Sequence, residues 1–148
     1  MIDDFDIRYD DMEDRFFISI NTGIITDDSK EPPLRPYVGF KSGRAWLRFM
    51  LYYEAGDWLF VNKALVKADD YKQELAGLEF ERNHTGGTIW EWYDRGATDR
   101  DIKLIKKVIS SDEAAIRFYG QQYHDDRKIS FKQKRQLANL LLVYEMLN

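Results

Sequence analysis

The chain has 148 residues, of which 44% are hydrophobic and 15% aromatic, and its 22 lysines and arginines face 26 aspartates and glutamates. This length and this supply of large side chains predict one folded domain spanning residues 1–148. The absence of cysteine excludes disulfides, thiol nucleophiles and thiolate metal sites. A formal net charge of -4 argues against a nucleic-acid partner, because phosphate backbones recruit basic proteins.

The start of the sequence bears on cellular location. Met1-Ile2-Asp3-Asp4 is acidic where a secretory signal is basic and then apolar. No apolar run approaches the roughly 18 residues that a membrane-spanning helix needs. We therefore expect a cytoplasmic protein without a membrane partner.

Strands are predicted in the first half of the chain. Residues 16–20 and 45–53 are rich in aromatic and aliphatic side chains and predict strands, the second of them central. Between them, residues 26–33 are polar and end in two prolines, which predicts an exposed loop. The turn signal at 55–57 predicts a hairpin into a further strand at 58–61.

Three more strands are predicted before the first helix. They cover residues 64–68, 78–82 and 88–94, with a glycine-bearing turn at 83–87. Strand alternation in the last of these places Glu91 on the face opposite Trp90 and Trp92.

Two helices are predicted from their start signals. Thr98 and Asp101 form a capping-box pattern before a helix that ends near Ser110, and Ser130 with Gln133 repeats the pattern before a closing helix. A strand at 114–119 lies between them. The order predicts an α+β fold, with a largely antiparallel sheet and two principal helices packed on one of its faces.

The histidines and carboxylates give no convergent catalytic or metal site. His84 lies in a predicted turn without a second ligand at suitable spacing. For His124, which precedes two aspartates, a solvated turn is favoured over a metal or proton-transfer site. Glu91 and Asp94 resemble a glycosidase acid pair among aromatic rings, but alternation puts them on opposite strand faces. We expect no metal and no cofactor.

Charge is unevenly distributed along the chain. The opening is acidic, and the two predicted helices carry basic faces. Such runs are usually solvated, and they also steer the encounter with a partner of opposite charge. The acidic run consists of Asp3, Asp4, Asp6, Asp10, Asp11, Glu13 and Asp14.

Several short aromatic sequence motifs occur in the same order as in a known family. They are Trp46-Leu47-Arg48, the stretch 52–60 (YYEAGDWLF), Glu81-Arg82-Asn83, the stretch 89–94 (IWEWYD) and Asp125-Asp126-Arg127. Through these motifs the chain resembles an uncharacterised domain of bacterial, largely Gram-positive, lipoproteins and prophage-linked proteins. The resemblance implies no reaction and no cofactor, and it implies a phage- or prophage-linked role.

These observations predict a non-catalytic protein-interaction module that binds another protein, with an inhibitor or immunity-type role as one form of it. The predicted contact residues are Trp46, Trp58, Trp90 and Trp92. The alternative is a carbohydrate or small-ligand binding protein, in which Tyr93 joins Trp90 and Trp92 as a stacking platform. A third hypothesis is a hydrolase that uses Glu91 with Asp94, Asp125 or His124.

Overall fold

The computed structural model describes residues 4–22 and 31–148, which form ten strands and two helices. About half of the chain is strand, so the fold is mainly β. The strands are β1 Phe5–Asp10, β2 Arg15–Ile20, β3 Tyr37–Lys41, β4 Arg44–Ala55, β5 Lys63–Ala68, β6 Tyr71–Leu75, β7 Glu81–Thr85, β8 Thr88–Gly96, β9 Ala114–Tyr119 and β10 His124–Ile129. The helices are α1 Asp99–Ser110 and α2 Phe131–Leu147.

The strands form two sheets in place of the one that the sequence predicts. The six-stranded sheet has the order β1-β2-β3-β4-β8-β7, and the four-stranded sheet has the order β10-β9-β5-β6. Neighbouring strands within each sheet are antiparallel. The prediction of largely antiparallel pairing with two helices is therefore confirmed, and the prediction of one sheet is wrong.

Strand β4 shows that the two faces of the six-stranded sheet differ in burial. Leu47, Phe49 and Leu51 are buried, whereas the alternate residues Trp46 and Arg48 are only half-buried. Because successive side chains point to opposite faces, β4 has an inner face on the core and an outer face away from it. The same alternation gives the whole six-stranded sheet an inner and an outer face.

Both capping boxes predicted from the sequence are present. The Thr98 hydroxyl accepts from the Asp101 amide, and the Ser130 hydroxyl accepts from the Gln133 amide. Helix α2 contacts β2, β3 and β4, while α1 contacts α2 and strand β5 of the four-stranded sheet. The helices thus contact strands of both sheets, which does not confirm their packing on one face of a single sheet.

The core draws on both sheets and both helices. Its fully buried side chains include Phe49, Phe118, Leu104, Ile116 and Leu137. Phe118 of β9 contacts the rings of Tyr53 in β4 and Phe80, with centroids 5.4 and 6.4 Å away. These ring contacts join the two sheets.

Some predicted elements differ from the structure. The strand predicted at 58–61 is wrong, because these residues form a connection that pairs with none of the described strands. The strand predicted at 78–82 starts later, as β7, and His124 lies in β10 where the sequence predicted a turn. Of the predicted loop at 26–33, residues 26–30 lie outside the described residues, and Pro32 and Pro33 are buried.

Neither described helix has the length and apolar character needed to cross a lipid bilayer.

Candidate functional site

The outer face of the six-stranded sheet gathers aromatic and arginine side chains from five strands and one connecting segment. Direct cross-strand pairing aligns Tyr52 with Trp92, Phe17 with Gly39 and Gly39 with Trp46. Paired residues of adjacent strands project to the same face. The aromatic members are Phe17, Tyr37, Trp46, Tyr52, Trp90 and Trp92, and the arginines are Arg8, Arg15, Arg35 and Arg48.

One end of the outer face is built on Gly39. The Trp46 indole lies over this residue so closely that a Cβ added to Gly39 would be 2.1 Å from Trp46 Cε2. The Phe17 ring meets Trp46 edge-on, with centroids 6.5 Å apart. The guanidinium groups of Arg8 and Arg15 lie 5.5 and 5.1 Å from the Phe17 ring centroid, in cation–π contact. A glycine in β3 therefore fixes where the Trp46 ring lies.

The middle of the outer face is a hydrogen-bonded triad. Asp94 accepts from the Tyr37 hydroxyl at 2.5 Å and from Arg48 Nε at 3.0 Å. Burial, together with the hydrogen bond to Asp94 and its charge, raises the pKa of Tyr37 to about 12. All three polar side chains are thus held by one another at neutral pH.

A second network centres on Glu54. Its Oε1 accepts from the Tyr52 hydroxyl at 2.8 Å and from Trp90 Nε1 at 2.5 Å. The Arg35 guanidinium lies 3.7 Å from the centroid of the Tyr52 ring and donates to Glu31 at 2.7 Å. Burial first, and then the bond to Glu54, raises the pKa of Tyr52. The polar ends of these rings are therefore held in place by hydrogen bonds within the protein.

The four predicted contact residues and Tyr93 of the predicted stacking platform fall in three places. Trp46, Trp90 and Trp92 lie on the outer face, with Trp46 at the end remote from the other two. Trp58 lies in the connection after β4, where its ring stacks on Phe60 at 6.0 Å. Tyr93 projects to the inner side and stacks on the buried Phe80 at 5.8 Å.

This placement bears on the stacking platform of the alternative hypothesis. Since Tyr93 packs against the core, the platform reduces to Trp90 and Trp92. Both of these side chains are half-buried, and both lie on the face opposite the core.

Glu91, the candidate catalytic acid, is fully buried, and both of its carboxylate oxygens accept hydrogen bonds. Its carboxylate accepts from the backbone amides of Leu59, Phe60 and Val61 at 2.8, 3.0 and 2.8 Å, and from Arg82 Nε at 2.9 Å. Asp94 projects to the outer face, so the prediction that the two acids lie on opposite faces is confirmed. Glu91 therefore organises the chain after β4 and does not face a substrate.

The other candidate acids and histidines are separated. Asp125 accepts from the Tyr53 hydroxyl at 2.8 Å and from Arg127 at 3.0 Å, and it lines a polar cavity of about 680 Å³. His124 faces the Tyr119 ring, and His84 meets the Trp58 ring edge-on. Within residues 4–22 and 31–148, no three His, Asp or Glu side chains are grouped to hold a metal ion.

Sequence reasoning missed the partners of the tryptophans. Arg48 and Tyr52 alternate with buried residues in β4, so their face was readable from the sequence. Tyr37 and Arg35 join the site only through the pairing of β3 and the preceding segment with β4, which no local pattern indicated.

Comparisons of the chain with models of known protein families, with curated proteins and with solved structures give no significant match. The resemblance to an uncharacterised bacterial domain therefore stays a prediction from the sequence.

Proposed function

We propose that the protein is a non-catalytic interaction module that binds another protein through the outer face of its six-stranded sheet. The observation that carries the proposal is the composition of this face, in which tryptophan, tyrosine and arginine lie side by side. These three residue types dominate the binding energy of protein interfaces. Inhibition of a partner, or immunity to it, is the form of function that we propose for such a module.

Preorganisation supports the proposal. Asp94 holds Tyr37 and Arg48, and Glu54 holds Tyr52 and Trp90, so these side chains lose little rotamer freedom when a partner docks. Large rings that are already fixed contribute contact area at a low entropic cost.

The charges of the outer face favour a partner that is itself mixed in charge. Arg48 pairs with Asp94, Arg35 with Glu31 and Arg15 with Asp10, so three of the four guanidinium groups of this face already lie against a carboxylate. Arg8, the fourth arginine of this face, contacts the Phe17 ring. Paired charges of this kind select partners by register more than by net charge.

The test is a pull-down from the native host with variants of the outer face. We expect one stoichiometric protein partner to bind the wild-type chain, and Trp90→Ala and Arg35→Ala to weaken its affinity at least tenfold. The matched controls are Tyr123→Ala and Arg100→Ala, since both residues are exposed and lie away from this face. Equal capture by all five proteins, or equal loss with the controls, contradicts the proposal.

The cavity beside the outer face favours carbohydrate or small polar ligand binding as a second candidate. Its lining includes Glu54, Asp57, Asp125 and Arg127, which are side chains suited to hydroxyl groups. Glu54 also bonds the Trp90 indole, so a sugar in the cavity would lie near an aromatic ring. A glycan screen tests this candidate, with Asp125→Asn expected to remove any binding found.

A further inference from the structure

A notch opens at the edge of the outer face, where two strands differ in length. Strand β7 begins at Glu81, directly opposite Trp92, whereas β8 continues to Gly96. The second half of β8 therefore has β4 on one side and, among the described strands, none on the other. The result is a cavity of about 280 Å³, which we call the Trp92 notch; it is lined by Arg48, Glu79, Glu81, Trp92, Tyr93 and Asp94.

The charge of the notch is negative. Arg48 and Asp94 neutralise each other through the contact at 3.0 Å. Glu79 and Glu81 are exposed, and neither carboxylate has an ion-pair or hydrogen-bond partner among the described residues. Two uncompensated acids therefore line a small cavity and attract a cation.

The Trp92 ring that lines the notch also lacks a hydrogen-bond or ring partner among the described residues. Trp90 donates its indole N–H to Glu54, and Trp46 packs on Gly39, but Trp92 makes no hydrogen bond or ring contact within the described parts of the chain. The register places Trp92 between Tyr52 and Glu81, on the outer face. Tryptophan is the aromatic side chain that binds cations best.

We propose that the Trp92 notch binds a cationic side chain of the partner protein, an arginine, between the indole ring and the carboxylates of Glu79 and Glu81. The inference rests on the proposed function and names the chemistry of one contact. A guanidinium is planar, so it stacks on an aromatic ring while its edge donates paired hydrogen bonds to a carboxylate.

The same arrangement argues against other occupants. A phosphate or carboxylate would meet the uncompensated charge of Glu79 and Glu81, because Asp94 already engages Arg48, the basic side chain among the described lining residues. The grouping needed for a metal ion is absent from the described ranges. An uncharged side chain would gain no Coulomb attraction from the two carboxylates.

The experiment is a titration followed by NMR. The indole N–H signal of Trp92 is assigned by its loss in Trp92→Phe, and the protein is titrated with Nα-acetylarginine amide and, separately, with the uncharged Nα-acetylcitrulline amide. We expect the arginine amide to shift the Trp92 signal saturably at up to about 50 mM, as befits one weak contact. The citrulline amide is expected to leave the signal unchanged.

Two double variants complete the design. Glu79→Gln with Glu81→Gln is expected to abolish the shift. Asp11→Asn with Asp70→Asn removes the same charge at exposed sites away from the notch and is expected to preserve it. The proposal is overturned by an absent or unsaturable shift, by an equal shift with citrulline amide, or by equal losses in both double variants.

The NMR titration tests this inference separately from the pull-down that tests the proposed function. Partner capture depends on Trp90 and Arg35, which do not line the notch. Loss of the arginine response with retained capture of a partner therefore overturns this inference alone.

Discussion

The Arg82 guanidinium donates to the Glu91 carboxylate at 2.9 Å, in an ion pair whose acid is fully buried and whose base lies on the edge strand β7. Arg82 also donates to the carbonyl of Val61 at 3.2 Å, and Glu91 accepts from the Val61 amide. The Arg82–Glu91 pair thus binds both a carbonyl and an amide of the connection between β4 and β5. It also holds Phe60 in the left-handed region, at φ 58°.

Glu91→Gln tests how much this buried ion pair contributes to the free energy of unfolding. An amide presents one acceptor oxygen where the carboxylate has two, and its NH₂ group faces backbone donors. We expect the free energy of unfolding to fall by about 3 kcal/mol or more, since breaking a buried ion pair leaves unpaired groups behind. Urea unfolding followed by circular dichroism measures the change.

The control for this prediction is Glu81→Gln, which changes an exposed acid in β7. It is expected to alter the stability by no more than about 0.5 kcal/mol. If Glu91→Gln behaved like this control, Glu91 would not be the organiser of the connection.

Gly39→Ala tests how the Trp46 ring is seated. Because an added Cβ would come within 2.1 Å of the indole, the ring or the strand must move. We expect a loss of about 1–3 kcal/mol in the free energy of unfolding, with a changed tryptophan fluorescence spectrum. Gly87→Ala is the matched control, as nothing lies within 4 Å of its added Cβ.

A double variant separates crowding from backbone effects. If the clash with the ring is the cause, Gly39→Ala costs much less stability in a Trp46→Ala background. Additive effects of the two substitutions would show that the glycine is needed for another reason.

Asp94→Asn tests the triad on the outer face. Burial and Asp94 together raise the pKa of Tyr37 to about 12, so removing the charge is expected to lower it towards 10.0. Since the folded state holds this proton more tightly than the unfolded state, the contribution to stability is full below pH 10.0 and is lost as pH rises towards about 12. Spectrophotometric titration of the tyrosines, with Tyr37→Phe as the reference, measures the shift; an unchanged titration would refute it.

The sequence predicted the helices and the central strand well because their signals are local. Thr98 and Ser130 each begin a helix with a capping box, which four neighbouring residues define. Strand β4 is long and aromatic, so its existence and its alternation were both readable.

The missed elements depend on distant partners. The connection at 58–61 is rich in aromatic residues, as a strand would be, but the Glu91 carboxylate takes up its backbone amides before another strand can. Strand β1 lies in the acidic opening of the chain, and β2 pairs with it along its whole length. The density of acids predicted a solvated run, although Phe5, Ile7 and Tyr9 alternate with charged residues as in a strand.

The candidate site was predictable in part. Alternation placed Trp90 and Trp92 on one face and Tyr93 on the other, as the structure has them. The arginines of the outer face were not recognised, since Arg35 and Arg48 reach Tyr52 and Asp94 through contacts that the pairing of strands creates.

Asp69 gives the clearest expectation for acid sensitivity. Its carboxylate accepts from the backbone amides of Glu113 at 2.9 Å and Asp112 at 3.1 Å, and these bonds lower its pKa below 3.8. The unfolded state therefore binds the proton more readily than the folded state does. The stabilisation is present above pH 3.8 and is lost as pH falls through the lower pKa of the folded protein.

Asp69→Asn removes this titration while keeping the backbone geometry. Asp69 has φ 52°, a conformation that asparagine also tolerates, and its own amide still donates to Glu113 at 2.9 Å. We expect the variant to melt at a lower temperature than the wild type at neutral pH, and the difference to shrink as pH is lowered to about 2. Thermal melts across this range measure it. A difference that stays constant with pH would show that the Asp69 charge plays no part in joining the β5–β6 turn to the start of β9.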